Sequence, residues 1–215
     1  MSGERRKFKR ATAEERREAL ITATLALVAE KGVRGATVRD IADRADVTQG
    51  LIRHYFSSKE ELMTAAYEHH MVFISDLTFA PVAGMEGDAH RRLAGFVEAS
   101  LSPPVVEPTA VALWAGFLNK VQQDPQMRQI HQRTYDYFRD KLAELIAAAL
   151  AEVGRPVDPA RLHHLAVACN AVIDGLWMEG GALPEAFEEG ELPAIGLESV
   201  GAILGMNLQQ KAEQP

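Results

Sequence analysis

The feature that most constrains this sequence is a succession of helix-start signals, each followed by apolar residues at helical spacing. Capping boxes, in which Ser or Thr is followed three residues later by an acidic residue, begin at Thr12, Thr37 and Ser58. Asp-Pro pairs at 124–125 and 158–159 predict two more helix starts. No segment shows the two-residue alternation of a half-buried strand. The sequence therefore predicts an all-α protein.

Helix boundaries follow from the glycines, prolines and apolar stripes. We expect Gly32 to end the first helix, Gly180-Gly181 to end the eighth, and 81–87 to form a loop at a domain boundary. The predicted helices span about 12–32, 37–45, 49–55, 58–79, 89–101, 108–123, 124–153, 158–179 and 193–209.

Two short helices, a tight turn and a long helix make the second to fourth elements a helix-turn-helix arrangement. Ile41 faces the core that Val47 and Ile52 complete. Asp46 occupies the turn, where a left-handed backbone is needed and Asp is better tolerated than most residues. Thr48 caps the next helix, which leaves its first N–H groups able to face a phosphate.

Charge is distributed unevenly along the chain, whose formal net charge is -7. Residues 1–60 contain 13 Lys and Arg and 9 Asp and Glu, for a balance of +4, whereas the remainder contains 10 and 21, for a balance of -11. A basic head on an acidic body is typical of a DNA-binding module fused to another domain. A solvated basic tail is the alternative that charge alone leaves open.

The stretch from Thr37 to Leu62, TVRDIADRADVTQGLIRHYFSSKEEL, resembles the DNA-binding signature of the TetR family of transcriptional regulators. The resemblance covers roughly residues 15–65. Asp46 stands where the family usually has Gly, and Arg53 where many members have Tyr. The resemblance implies a three-helix DNA-binding domain followed by a helical ligand-binding and dimerisation domain.

By this resemblance, Thr48, Gln49 and Arg53 lie along the major-groove face. Gln can pair bidentately with adenine and Arg with guanine. Phosphate contacts that set the register are expected from Thr37, His54, Tyr55 and Lys59. Tyr55 could instead be a core aromatic, and Lys59 a surface charge that contacts nothing.

The basic arm, residues 5–10, is expected to add phosphate or minor-groove contacts, with a solubility tail as the alternative.

The C-terminal part resembles the BetI branch of the family in two segments, 113–117 and 170–177. Members of that branch are linked to choline and betaine metabolism, which implies a small organic effector. Asp174 lies in an apolar run, where a charge is costly without a partner. Aromatic faces with carboxylates can hold an organic cation. The expected ligand residues are Trp114, Phe117, Tyr135, Asp174 and Trp177; the alternative is that these aromatics only fill the core.

Small residues on the last two helices suggest an interface between two copies of the chain. Ala168, Ala171, Gly175, Gly201 and Gly205 recur at spacings that permit close helix approach. In the TetR family the corresponding two helices form the dimer interface. Packing within one chain is the alternative.

Other function classes lack support in the sequence. The adjacent pairs His69-His70 and His163-His164 diverge by about 100° on a helix, unlike a metal pair. Cys169 has no basic neighbour and permits no intramolecular disulfide.

Acidic residues interrupt the basic and apolar N-terminal stretch, and the run at 20–29 is shorter than the ~20 residues that span a bilayer. We expect no catalytic site, metal, cofactor or membrane segment, and a cytoplasmic protein.

The predicted organisation is a basic arm and helix-turn-helix domain at 1–57, a connecting helix at 58–80 and a ligand-binding and dimerisation domain at 81–215. The predicted function is a homodimeric repressor that binds a pseudo-palindromic operator and is released by a small effector, which is cationic or polar. The alternatives are a regulator without a ligand, architectural or constitutive, and an activator of the same fold.

Overall fold

The computed structural model describes residues 12–85 and 88–209, and within these residues the chain is helical with no strand. The basic arm at 5–10 lies outside the described residues. The helices are α1 (Ala13–Gly35), α2 (Val38–Arg44), α3 (Gln49–Tyr55), α4 (Lys59–Ala83), α5 (Ala89–Ser100), α6 (Pro108–Gln123), α7 (Pro125–Glu152), α8 (Pro159–Ala182) and α9 (Glu191–Leu204), with a short 3₁₀ turn at Pro184–Ala186. This confirms the all-α prediction.

The chain divides into two compact units, and the boundary between Tyr67 and Glu68 falls inside α4. Unit 1 ends at Tyr67 and contains α1 to α3; unit 2 begins at Glu68 and contains α5 to α9. The finer predicted subdivision at residues 57 and 80 remains a prediction.

The cores of both units follow from the apolar stripes of their helices. In unit 1, Leu20, Ile41 and Ile52 bring α1, α2 and α3 together and are at most 2% exposed. In unit 2, an apolar cluster joins α5, α7, α8 and α9 and includes Cys169. None of the described helices is both long and apolar enough to cross a membrane.

Side-chain caps form where the sequence predicts them. Thr12 and Glu15 make a reciprocal capping box at the start of α1. The Thr37 hydroxyl accepts the Asp40 N–H, and the Ser58 hydroxyl accepts the Glu61 N–H. Each cap satisfies an N–H group that has no partner within its helix, which fixes where the helix begins.

Three predicted boundaries are wrong. Pro81 lies inside α4, which continues to Ala83 rather than giving way to a loop. Gly180 and Gly181 lie inside α8, and a Cβ there would come within 2.2 Å of Leu192 or 2.3 Å of a Val111 methyl. These glycines are needed for close packing rather than to end the helix. The last helix ends at Leu204 instead of near residue 209.

Two glycines end regular helix through left-handed backbone. Gly32 has a φ of 70° and kinks α1 before its final residues, so the regular helix stops where the sequence predicts. Gly205 has a φ of 62° and caps α9. Only glycine adopts these angles without strain between the Cβ and the backbone.

Candidate functional site

The helix α3 exposes a polar face opposite its buried side. Ile52 anchors the helix in the core of unit 1, whereas Gln49 and Arg53 are exposed and lie one turn apart on the same face. The Thr48 hydroxyl accepts the Leu51 N–H at 3.3 Å and caps the helix. The turn before it holds Asp46 at a φ of 52°, the left-handed backbone that the sequence predicts. This compact scaffold presents long hydrogen-bonding side chains outward.

The residues predicted to contact phosphate differ in how free their polar groups are. Thr37 is exposed, but its hydroxyl also donates to the Asp40 carboxylate at 2.8 Å. His54 is exposed and its ring lies edge-on to the half-buried Tyr55 ring, with centroids 5.2 Å apart. Lys59 is half-buried, and its ammonium lies 3.4 Å from the Val33 carbonyl. Thr37 and His54 are therefore accessible to a phosphate as they stand. The Lys59 side chain would have to leave the Val33 carbonyl to contact one.

Gly50 leaves open space in front of α3. It is exposed, and the nearest atom to a Cβ built there is the Thr48 hydroxyl oxygen at 3.8 Å. Since its φ is not in the left-handed region, neither backbone strain nor packing within the described residues requires glycine here. A binding partner that approaches α3 closely would explain why the residue at position 50 has no side chain.

Unit 2 contains a cavity of ≈ 80 Å³. It brings together four of the five predicted ligand residues: Trp114, Tyr135, Asp174 and Trp177. Phe117 does not line it, because its side chain is fully buried. The sequence could not distinguish Phe117 from Trp114, because both are aromatic residues on one apolar helix and lie about one turn apart.

The aromatic side chains of the cavity are held by specific contacts. The Trp114 and Trp177 rings meet edge to face with centroids 6.0 Å apart. The Trp114 indole N–H donates to the Tyr135 hydroxyl at 3.3 Å, and the Trp177 indole N–H donates to the Val105 carbonyl at 2.8 Å. Fixed ring orientations of this kind can present aromatic faces to a ligand.

Asp174 is the carboxylate of the cavity, and its neighbours offset only part of the cost of burying its charge. Burial raises its pKa to about 6, although a hydrogen bond from the Asn170 amide, 2.8 Å long, and the charge of Arg139 act in the opposite direction. Burial, together with the nearby Asp174 charge, raises the pKa of Tyr135 to about 12. An ionised Asp174 would therefore be stabilised by a cation in the cavity.

Sequence reasoning missed several polar residues of this cavity. Asn170 lies one helical turn before Asp174 in the same apolar run, a spacing that could have identified the pair. His70 is 5% exposed and lines the cavity, although the sequence suggested only that it does not bind metal. Hydroxyl groups complete the polar lining: Ser75, Thr78, Ser100 and Thr134. In the sequence these four residues look like ordinary helix positions, so nothing there predicts that they line a cavity.

A second, larger depression of ≈ 440 Å³ lies among α4, α5 and α7 of unit 2. Phe79, Tyr137 and Lys141 belong to its lining. It contains none of the predicted ligand residues, so the smaller cavity is the candidate ligand site.

The small residues predicted at a dimer interface fall into two groups. Ala168 and Ala171 are exposed and Gly175 is half-exposed, so they form one open stripe along α8. Gly201 is buried, and a Cβ there would lie 2.6 Å from the Met206 carbonyl oxygen. Its small size therefore serves packing within the chain, which corrects the interpretation of Gly201 as an interface residue. Gly205 is exposed, but its conformation is explained by its role as the α9 cap.

Comparison with known proteins decides the family. A family model for the C-terminal domain of BetI-type transcriptional repressors matches residues 89–205, which is more than half of the chain. A second model, for bacterial regulatory proteins of the tetR family, matches residues 20–66. The chain belongs to the TetR family. It is a DNA-binding transcriptional regulator with a BetI-type C-terminal domain.

Individual relatives agree with this assignment. The transcriptional regulator BetI 2 of Chromohalobacter salexigens is 30% identical over 82% of this chain and 82% of its own length. A crystal structure of a transcriptional regulator from Pseudomonas aeruginosa PAO1 is 29% identical, with a TM-score of 0.82 over 93% of this chain and 95% of that one. A regulator from Saccharomonospora viridis, solved in complex with choline, is 20% identical, with a TM-score of 0.70 over 90% and 97%.

Membership of the TetR family also means that this regulator is not an enzyme. Cys169 is fully buried, and burial raises the pKa of its thiol to about 12, so it is a poor nucleophile. Within residues 12–85 and 88–209, no group of three or more His, Cys, Asp or Glu side chains could hold a metal ion.

Proposed function

We propose that this TetR-family regulator is a homodimeric repressor that binds a pseudo-palindromic operator through α3 and is released by a small cationic effector bound in the cavity of unit 2. The observation that carries the proposal is that α4 continues directly from the helix-turn-helix to five residues that line the cavity: His70, Met71, Ile74, Ser75 and Thr78.

At the DNA, Arg53 and Gln49 are the proposed base-reading side chains, with guanine and adenine as their respective bidentate partners. Their exposure on one face of α3 supports this role, as does the space around Gly50, which permits close approach to the duplex. Thr37, Thr48, His54, Tyr55 and Lys59 are proposed to position the helix through the phosphate backbone.

In the cavity, Trp114, Tyr135 and Trp177 are proposed to surround a cation whose charge faces Asp174. Aromatic faces and a buried carboxylate are complementary to such a ligand. The volume corresponds to roughly five to eight water molecules, which suits a small metabolite rather than a long acyl chain. Choline in the Saccharomonospora viridis relative is a ligand of this kind.

Release requires that the ligand bind more tightly to the arrangement that does not fit DNA. A hundredfold difference in affinity between the two arrangements corresponds to about 2.7 kcal/mol. Because α4 supplies one wall of the cavity, a ligand that displaces this wall would also move the part of α4 that belongs to unit 1. The helix is thus the proposed link between effector and operator.

Dimerisation is proposed to involve the exposed stripe of α8 together with α9. Val167 and Met178 are 38% and 40% exposed beside Ala168, Ala171 and Gly175. Burial of these apolar side chains against the same stripe of a second copy would form a four-helix bundle. Two reading heads would then lie one or more helical turns of DNA apart, each turn about 34–36 Å.

The test selects an operator from a random duplex library with the full-length protein and footprints it, with light scattering as a parallel measurement. The proposal expects a dimer, two protected half-sites and loss of protection when a cationic effector is added. A monomer that protects one half-site would exclude the dimeric arrangement. Binding unaffected by a cation that occupies the cavity would leave a constitutive regulator as the function.

A further inference from the structure

The polar groups of the cavity share one property: nearly all of their donor hydrogens are already used within the protein. The hydroxyl groups of Ser75, Thr78 and Ser100 donate to backbone carbonyls one helical turn earlier, at 2.7 to 2.9 Å. Thr134 donates to the carbonyls of Ile130 and His131, 3.0 Å from each. Since a carbonyl can only accept, each hydroxyl oxygen keeps only lone pairs for the cavity.

The N–H donors of the cavity also form hydrogen bonds within the protein. Both indole N–H groups of the cavity are used, by Tyr135 and by the Val105 carbonyl. The His70 ring is hydrogen-bonded to the backbone of Ala110. Burial and the neighbouring His69 lower the pKa of His70 to about 4, so the ring is neutral and its second nitrogen is an acceptor.

Asn170 supplies an acceptor that lacks a partner. Its amide N–H donates to Asp174, which fixes the amide orientation because a carboxylate cannot donate. Its Oδ1 is buried and, among the residues that the structure describes, has no hydrogen-bond partner. The side chain is 7% exposed and lines the cavity. A buried unpaired carbonyl is costly, so a ligand donor that displaces the side chains covering Oδ1 and reaches it gains affinity.

We infer that the cavity selects a small cation that carries several N–H donors, a protonated primary or secondary amine, over a fully methylated ammonium of the same charge. The inference rests on the proposed function, because it assumes that this cavity binds the effector. Acceptor oxygens on Asn170, Asp174 and Thr134 would each receive a hydrogen bond that an N-methyl group cannot make. Among the described lining residues, the Tyr135 O–H and the second Asn170 N–H are the remaining donors, too few to hold an anionic ligand.

The experiment compares ethanolammonium with choline by isothermal titration calorimetry on the full-length protein at neutral pH. Both probes are cations with the same hydroxyethyl arm, and they differ in whether the nitrogen carries hydrogens or methyl groups. A hydrogen bond to a charged donor is worth about tenfold in affinity or more. Ethanolammonium is therefore expected to bind at least about tenfold more tightly than choline.

Two variants locate the effect. Thr134→Val preserves shape and removes one acceptor, and Asn170→Leu removes the unpaired one. Each is expected to weaken ethanolammonium binding by about tenfold. Thr134→Val should change choline binding by less than about twofold. Asn170→Leu also removes the hydrogen bond that lowers the pKa of Asp174, so it should weaken choline binding as well, but by a smaller factor than ethanolammonium binding. Thr24→Val is the matched control, because the Thr24 hydroxyl is buried and donates to the Leu20 carbonyl at 2.8 Å in unit 1. It should leave both affinities unchanged.

The outcomes separate the inference from the function on which it rests. Choline binding as tight as ethanolammonium binding, or variants that weaken both probes equally, would overturn the donor requirement and leave the cation site standing. If neither probe binds the wild-type protein, both the inference and the cationic effector are wrong. If Asn170→Leu does not fold, Thr134→Val alone decides between these outcomes.

Discussion

The surface of α3 in unit 1 and the cavity of unit 2 arrange polar groups in opposite ways. On α3, Gln49 and Arg53 extend into solvent from a short helix that a cap and one buried residue hold in place. In the cavity, Asn170 and Asp174 are enclosed by apolar and aromatic side chains, and their hydrogen bonds are incomplete. Exposed polar side chains form hydrogen bonds with water when no DNA is bound, so the free protein has no free-energy penalty at α3. Buried polar groups with incomplete hydrogen bonds do have such a penalty, and a bound ligand removes it. This difference predicts that removing the buried carboxylate stabilises the ligand-free protein, whereas removing an exposed side chain of α3 weakens DNA binding with little change in stability.

The largest expected effect is at Asp174. Because its folded pKa of about 6 lies above the ordinary 3.8, the penalty for its charge is absent below pH 3.8 and fully present above pH 6. Asp174→Asn should therefore stabilise the ligand-free protein at pH 7 by up to about 3 kcal/mol, while greatly weakening cation binding. Chemical denaturation at pH 7 and pH 4 measures the first effect, and the gain should fall to about 0.5 kcal/mol at pH 4.

Asp140→Asn is the matched control, because Asp140 is an exposed carboxylate on α7. Its replacement should change stability by less than about 0.5 kcal/mol at either pH. An Asp174→Asn variant that is less stable than wild type at pH 7 would show that the carboxylate makes favourable interactions that outweigh its burial.

The next effect concerns base recognition. Arg53→Ala should cost about 1–3 kcal/mol in operator binding and relax the base preference at one position of each half-site. Lys59→Ala should weaken operator and random DNA equally and flatten the salt dependence. Fluorescence anisotropy against the operator and a scrambled duplex, at several salt concentrations, distinguishes the two. Equal losses on both duplexes for Arg53→Ala would make it a phosphate contact.

A smaller effect is expected at Gly50, where fold and function should separate. Gly50→Ala should leave unit 1 folded, and stabilise it by up to about 1 kcal/mol, because alanine favours a helix more than glycine does. Operator affinity should nevertheless fall, because the added methyl group occupies the space that the duplex would approach. Thermal denaturation and anisotropy on the same sample make this comparison. Unchanged operator affinity would remove Gly50 from the proposed interface.

The last effect is the pH dependence of effector binding. Asp174 is mostly protonated at pH 5 and ionised at pH 7, so cation affinity should rise about tenfold between these values. The other titratable side chains that line the cavity stay neutral over this range, because His70 has a pKa of about 4 and Tyr135 a pKa of about 12. Calorimetry at both values measures the change, which Asp174→Asn should abolish. Affinity that falls as pH rises would place the ligand charge elsewhere.

The two sites also differ in how far the sequence predicts them. The helix-turn-helix is encoded locally: Thr37, Asp46 and Thr48 each set the backbone within a few residues, and the structure shows the caps and the left-handed turn where they are expected. The cavity depends on side chains from five helices and a loop that only tertiary packing brings together. The combination of aromatic residues with carboxylates predicted Trp114 and Trp177 as ligand residues, but it could not show that Phe117 lies outside the cavity lining.

Glycines show the same limit more sharply. A glycine that ends a helix and one that permits close packing look alike in sequence, because both interrupt an apolar helical run. Gly32 and Gly205 have left-handed backbone, whereas Gly180, Gly181 and Gly201 lie against other parts of the chain. The distinction depends on contacts with Leu192, Val111 and Met206, which periodicity does not predict.

The central claim is that the α3 surface and the cavity are coupled through α4. The most direct test measures the affinity of the tightest-binding cation for the full-length protein with and without saturating selected operator, and the operator affinity with and without the cation. Linkage requires the two ratios to be equal, and we expect each partner to weaken the binding of the other by the same factor, about tenfold to a hundredfold. Cation affinity that is identical in the presence and absence of operator would show that the two sites are not coupled.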